Sequence, residues 1–118
     1  MEQLKSVVRK SKRAGELKKS LENIGSTVHL EQMVGGAYSL YAAATVERRG
    51  GVHIFLADDR DAAAYLLNDL YELLDEERVH FFASAYKRSA AYGAEDAQGV
   101  VRRTATLNAL ASHTKGYV

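Results

Sequence analysis

The chain has 118 residues, 47% hydrophobic and 26% charged, with a net charge of +1. That length holds one domain with one core, and the charge balance gives the molecule as a whole no strong bias toward nucleic acid or acidic membranes. Cysteine is absent, which excludes disulfides, thiolate catalysis and cysteine-based zinc and suits a reducing cytoplasm; no apolar run reaches membrane-span length, and the N-terminus lacks a signal-peptide pattern.

The even balance conceals an asymmetry. Residues 1–23 carry seven Lys/Arg against three Asp/Glu, a net of +4, while the remainder carries nine against twelve, a net of −3. In residues 1–25, Leu4, Val7, Val8, Ala14, Leu17, Leu21 and Ile24 recur at three- and four-residue steps. This predicts a basic amphipathic helix with one apolar stripe. Gly15 weakens its middle, where a break is allowed, and Gly25 fits the residue just past its end. The helix reads either as a peripheral element docked on the domain or as an arm for nucleic acid or a partner.

Residues 26–118 form the expected domain. Residues 26–33 predict a short strand. The two glycines Gly35 and Gly36 then open a helix to about Arg49, with Leu40, Ala43, Ala44 and Val46 inward. Arg48, Arg49, Gly50 and Gly51 close it, cations against the C-terminal dipole followed by glycines. Val52-His53-Ile54-Phe55-Leu56-Ala57 is nearly continuous in apolar character, as a strand covered on both faces should be. Asp59 fits the N-cap of a helix from Arg60 to Leu74. Val79-His80-Phe81-Phe82-Ala83 predicts a further strand, followed by a polar segment from Ser84 to about Glu95. Asp96 caps a last helix to about Ser112, with Val100, Val101, Thr104, Leu107 and Leu110 or Ala111 inward. Lys115-Gly116-Tyr117-Val118 reads as the start of a strand cut short, as in an excerpt of a longer protein. The order predicts an α/β fold, a truncated parallel sheet with flanking helices and an extra N-terminal helix.

Ligands of such sheets gather beyond the strand C-termini. The first such place is Gly35-Gly36-Ala37-Tyr38-Ser39, laid out as a phosphate-binding loop. Where that motif has glycine, lysine and serine or threonine, this chain has Ala37, Tyr38 and Ser39, and Gln32 stands in place of the first glycine. The lysine neutralises β/γ-phosphate charge in a working site, so the turn reads as a structural βα turn, a weak anion site or a ruined nucleotide site. Asp58 and Asp59 read as a magnesium or receiver-type acid pocket, or as helix capping. The four histidines, at 29, 53, 80 and 113, show no metal-ligand spacing. Tyr86, Lys87, Arg88 and Tyr92 mix aromatics with cations, which suits either nucleic-acid or partner contact or a packed loop.

Four pieces in a fixed order carry a family resemblance. They are the degenerate glycine turn, the strand and acidic turn from His53 to Asp59, the segment from Phe81 to Tyr92, and Glu95-Asp96-Ala97-Gln98 leading into Arg102-Arg103-Thr104-Ala105-Thr106-Leu107. Over residues 30–118 the chain resembles the N-terminal region of bacterial transcription-repair coupling factor, the part similar to the excision nuclease subunit UvrB. It departs from the family after the third strand, where Trp-Glu-Thr-Leu-Pro-Tyr-Asp is common and this chain has Ser84-Ala85-Tyr86-Lys87-Arg88-Ser89-Ala90-Ala91-Tyr92. The resemblance implies a P-loop, helicase-like three-layer sandwich that has lost its ATPase residues. It implies a parent that is an ATP-driven DNA translocase, displaces stalled RNA polymerase and recruits UvrA. ATP and magnesium would serve the parent, with no cofactor in this part. The motor, the polymerase-binding parts and the inserted subdomain that chiefly contacts UvrA would lie beyond Val118. The alternatives are a nucleotide-binding helicase or UvrB-like fragment with an atypical loop, and a receiver-like signalling domain. A strand cut short at the end also predicts an exposed edge and self-association.

Overall fold

The computed structural model describes residues 2–84 and 97–112. Five α-helices are present among them: α1 (Glu2–Lys10), α2 (Lys12–Leu21), α3 (Ala37–Arg49), α4 (Arg60–Leu73) and α5 (Ala97–Ser112), with a 3-10 turn at Glu76–Arg78. The chain divides into two compact units, the first ending at Val79 and the second beginning at His80.

The expected parallel sheet is absent among the described residues. Residues 26–33, 52–57 and 79–83 run without strand pairing, apart from a single bridge residue at Val52. The described fold is therefore helical, and the three-layer α/β sandwich is corrected accordingly. The physical reason is visible at residues 52–57. Phe55 packs against the helical core and His53 is half-buried, while Val52, Ile54 and Leu56 are exposed at 58%, 81% and 89%. An apolar, β-branched run favours extended backbone. A sheet also needs a partner in register, and that partner is non-local. Here one side of the segment is covered by helices instead.

The core of the first unit is the seam between α3 and α4. Ala42, Ala43 and Val46 of α3 meet Leu70 and Leu73 of α4, with Leu74 and Val79 behind them. Alanines on α3 let the two helices approach closely, and Val46 is completely buried. Both ends of the pair follow the sequence. Asp59 is extended and its carboxylate accepts from the Ala62 amide at 2.8 Å, which caps α4. Gly50, at φ +63°, ends α3 after Arg48 and Arg49, its amide bonded to Val46 O.

The N-terminal helix is two helices. The break falls at Ser11, whose hydroxyl accepts from the Ala14 amide at 3.2 Å and caps α2. Gly15 lies inside α2, and Gly25, at φ +80°, sits in the turn after its end. The single stripe needed one continuous helix, and the break puts α1 out of phase. Ala14 and Leu17 are buried, but Leu4, Val7 and Ile24 are exposed. Ions dock α1 instead: Lys5 and Arg9 reach Glu47 of α3 at 3.5 and 3.7 Å, and Arg48 donates to the Arg9 carbonyl.

In the second unit, α5 holds the segment before it through two arginines. Arg102 lies over the Phe81 ring, 5.9 Å from its centroid, and Arg103 donates to the Ala83 carbonyl at 3.2 Å. The inward face expected for α5 is corrected as well. Gly99 and Thr106 are its buried residues, while Val100, Val101, Thr104, Leu107 and Leu110 are exposed. Thr106 turns its hydroxyl back to the Arg102 carbonyl at 2.9 Å, which satisfies the donor where water is excluded. Among the described residues no helix is long and apolar enough to cross a membrane.

Candidate functional site

An open cleft of about 310 Å³ lies in the first unit, where the start of α3 faces residues 56–58 and one side of α4. It brings together two stretches that the sequence singles out. Gly35, Tyr38 and Ser39 come from the glycine turn and Asp58 from the acidic turn; Tyr65 and Asp69 come from α4.

The glycine turn has the backbone of a tight entry to a helix. Gln32 and Gly35 both adopt left-handed φ, at 58° and 57°. For glutamine this is uncommon, and for glycine it carries no steric penalty. Gly36 is the N-cap and offers no side-chain hydrogen bond to the helix start. A Cβ built at Gly35 or Gly36 meets nothing within 4 Å. Space for a ligand therefore exists, but no wall closes over the amides. The Ala37 amide is used internally, donating to the Val34 carbonyl at 3.2 Å.

Tyr38, in the position of the motif's lysine, is 43% exposed and lines the cleft. Ser39 is buried, and its hydroxyl donates to the Asp69 carboxylate across the α3–α4 seam. The hydroxyl that would face a magnesium ion in a working phosphate loop is thus already turned to a carboxylate. Asp58 and Asp59 separate in role. Asp59 is the α4 cap, and Asp58 stands in the cleft wall.

Among the described residues the lining carries two carboxylates, two phenols and a serine hydroxyl, with Leu56 and Leu66 as its bulkier apolar members and no lysine or arginine. Such a surface repels a polyphosphate, and none of these residues is a cation that would offset its charge. Asp69 and Tyr65 are lining residues that the sequence reading does not single out. The available signal was that Ala62, Leu66 and Asp69 fall at successive helical turns, so a carboxylate ends a partly apolar face. His53 donates through Nε2 to the Gly50 carbonyl, 2.9 Å away, and His29 lies 3.9 Å from Glu31. Tyr86, Lys87, Arg88 and Tyr92 lie outside the described residues, as do Asp96, His113 and residues 115–118. In comparisons with known proteins, no family model matches the chain, and no curated protein or solved structure matches it either.

Proposed function

We propose that the chain is a non-catalytic scaffold and interaction module of a transcription-repair coupling factor, acting in the cytoplasm. In this reading the parent is an ATP-dependent DNA translocase that displaces stalled RNA polymerase and recruits UvrA, and ATP and magnesium belong to its motor. The proposal rests on the four ordered motifs and on the cleft, and it does not need the sheet that the resemblance implied. One observation carries the non-catalytic part. The glycine turn and the acidic turn meet in a single cleft where Tyr38 holds the lysine position and the Ser39 hydroxyl is bonded to Asp69.

The test uses the whole chain in two titrations. With magnesium and ATP, calorimetry should show no saturable binding and phosphate release should stay at the buffer rate. Joined to the inserted subdomain that chiefly contacts UvrA, the chain should strengthen co-sedimentation with UvrA relative to that subdomain alone. Micromolar ATP binding that is lost in Ser39→Ala would overturn the non-catalytic part and favour the nucleotide-binding alternative. No gain over the subdomain alone would overturn the scaffold part.

A further inference from the structure

The charge of the first unit is sorted by element. All eight Asp and Glu residues between positions 58 and 77, on α4 and its flanks, are exposed, and Arg60 is the one cation among them. At the other end of the sequence, α1 and α2 carry seven Lys and Arg residues. Lys5 and Arg9 are committed to Glu47, and Lys12 shares a 3.7 Å pair with Glu16. Lys10, Lys12, Arg13 and Lys19 are exposed, and every exposed residue of α2 is charged, three cations against Glu16. The first turn of α2 contains no acid. No acidic side chain there offsets the positive end of the helix dipole, beside which Lys12 and Arg13 sit.

We propose that the exposed face of α2, with Lys10 at its edge, binds the phosphate backbone of nucleic acid without reading sequence. The exposed side chains of α2 decide between this ligand and an acidic protein. Protein hot spots are built from aromatic and other large anchors seated in desolvated pockets. The α2 face has none, and flexible cations on a solvated helix are what backbone contact requires. Lys12 and Lys19 are two turns apart, about 10 Å along the axis. A duplex offers one charge per about 1.7 Å of its length, so both meet phosphates without a fixed register. The acidic α4 orients the encounter by repelling the same polyanion. The proposal is independent of the cleft, and it holds or fails whatever the parent protein is.

The test is fluorescence anisotropy of a short labelled DNA duplex of mixed sequence, titrated with the whole chain. Three phosphate contacts predict binding that weakens about 40-fold between about 50 and 200 mM salt. Arg13→Glu with Lys19→Glu should weaken binding by about tenfold or more at low salt, with the helical circular dichroism retained. The milder Arg13→Gln with Lys19→Gln should move in the same direction by less. Asp61→Asn with Glu72→Gln, on α4, changes net charge by two without touching the face and should alter binding less than about twofold. Equal and opposite effects from the α4 variant and the Arg13→Gln, Lys19→Gln variant, each a change of two charges, would show a response to net charge alone and overturn the proposal. So would binding that ignores salt, or displacement of the duplex by polyglutamate at equal charge concentration, which would assign the face to an acidic protein.

Discussion

The two sides of α3 are held by different forces. Toward α4 it presents Ala42, Ala43 and Val46 to leucines, with one polar tie from Ser39 to Asp69. Toward α1 it presents Glu47 and Arg48, and the contact includes two ion pairs and a hydrogen bond to a backbone carbonyl. Apolar burial is not weakened by charge screening and grows with the area removed from water. Partly exposed ion pairs contribute little and are screened. The first seam therefore sets the stability of the unit, while the second sets the placement of a helix that can lift away.

Four substitutions test this difference. Leu73→Ala removes a buried side chain from the α3–α4 seam and should cost about 3 kcal/mol. Urea unfolding would give this value, and the loss should be the same at low and high salt. Ser39→Ala removes the tie to Asp69 and should cost about 1.5 kcal/mol, because the exposed carboxylate regains water. A cost near that of Leu73→Ala would show that the seam is polar at its centre.

Gly15→Ala acts on the α1–α2 side. The added Cβ would lie 4.0 Å from Arg48 Nη1, ordinary contact, inside a helix. It should raise stability by about 0.5–1 kcal/mol, read as a higher thermal midpoint. A loss instead would mean that α2 packs closer to Arg48 than the geometry allows. Glu47→Gln has the smallest expected effect, about 0.5 kcal/mol at low salt and nothing measurable near 1 M salt. Its clearer readout is faster amide exchange confined to α1. Protection of α1 that is unchanged in this variant would break the comparison.

The helices were legible in the sequence, and the sheet expected between them was not a sound inference. Asp59 before an apolar-periodic run located the start of α4, and Arg48-Arg49-Gly50 located the end of α3, since caps and dipole partners act within one turn. The same locality explains Ser11. The periodic stripe places the weak point at Gly15, but the Ser11 hydroxyl caps a new helix, and a favourable cap outweighs a tolerated glycine. The stretch at 52–57 reads as a buried strand because it is apolar, yet an apolar run does not say what will cover it. In the cleft, the missing lysine was plain from Tyr38. The bond from Ser39 to Asp69 joins residues thirty apart and has no local signal.

The sequence by itself determined where helices begin and end, which of their faces are apolar on α3 and α4, and that the chain is basic at its start and acidic after residue 57. These follow from interactions among near neighbours. Only the tertiary structure decided that α1 docks by charge with Leu4 and Val7 outward, that the apolar run at 52–57 lies against helices, and that Asp58 and Asp69 share a cleft with Tyr38. Each of those depends on which distant surface arrives, and burial, pairing and screening are settled between surfaces rather than along the chain.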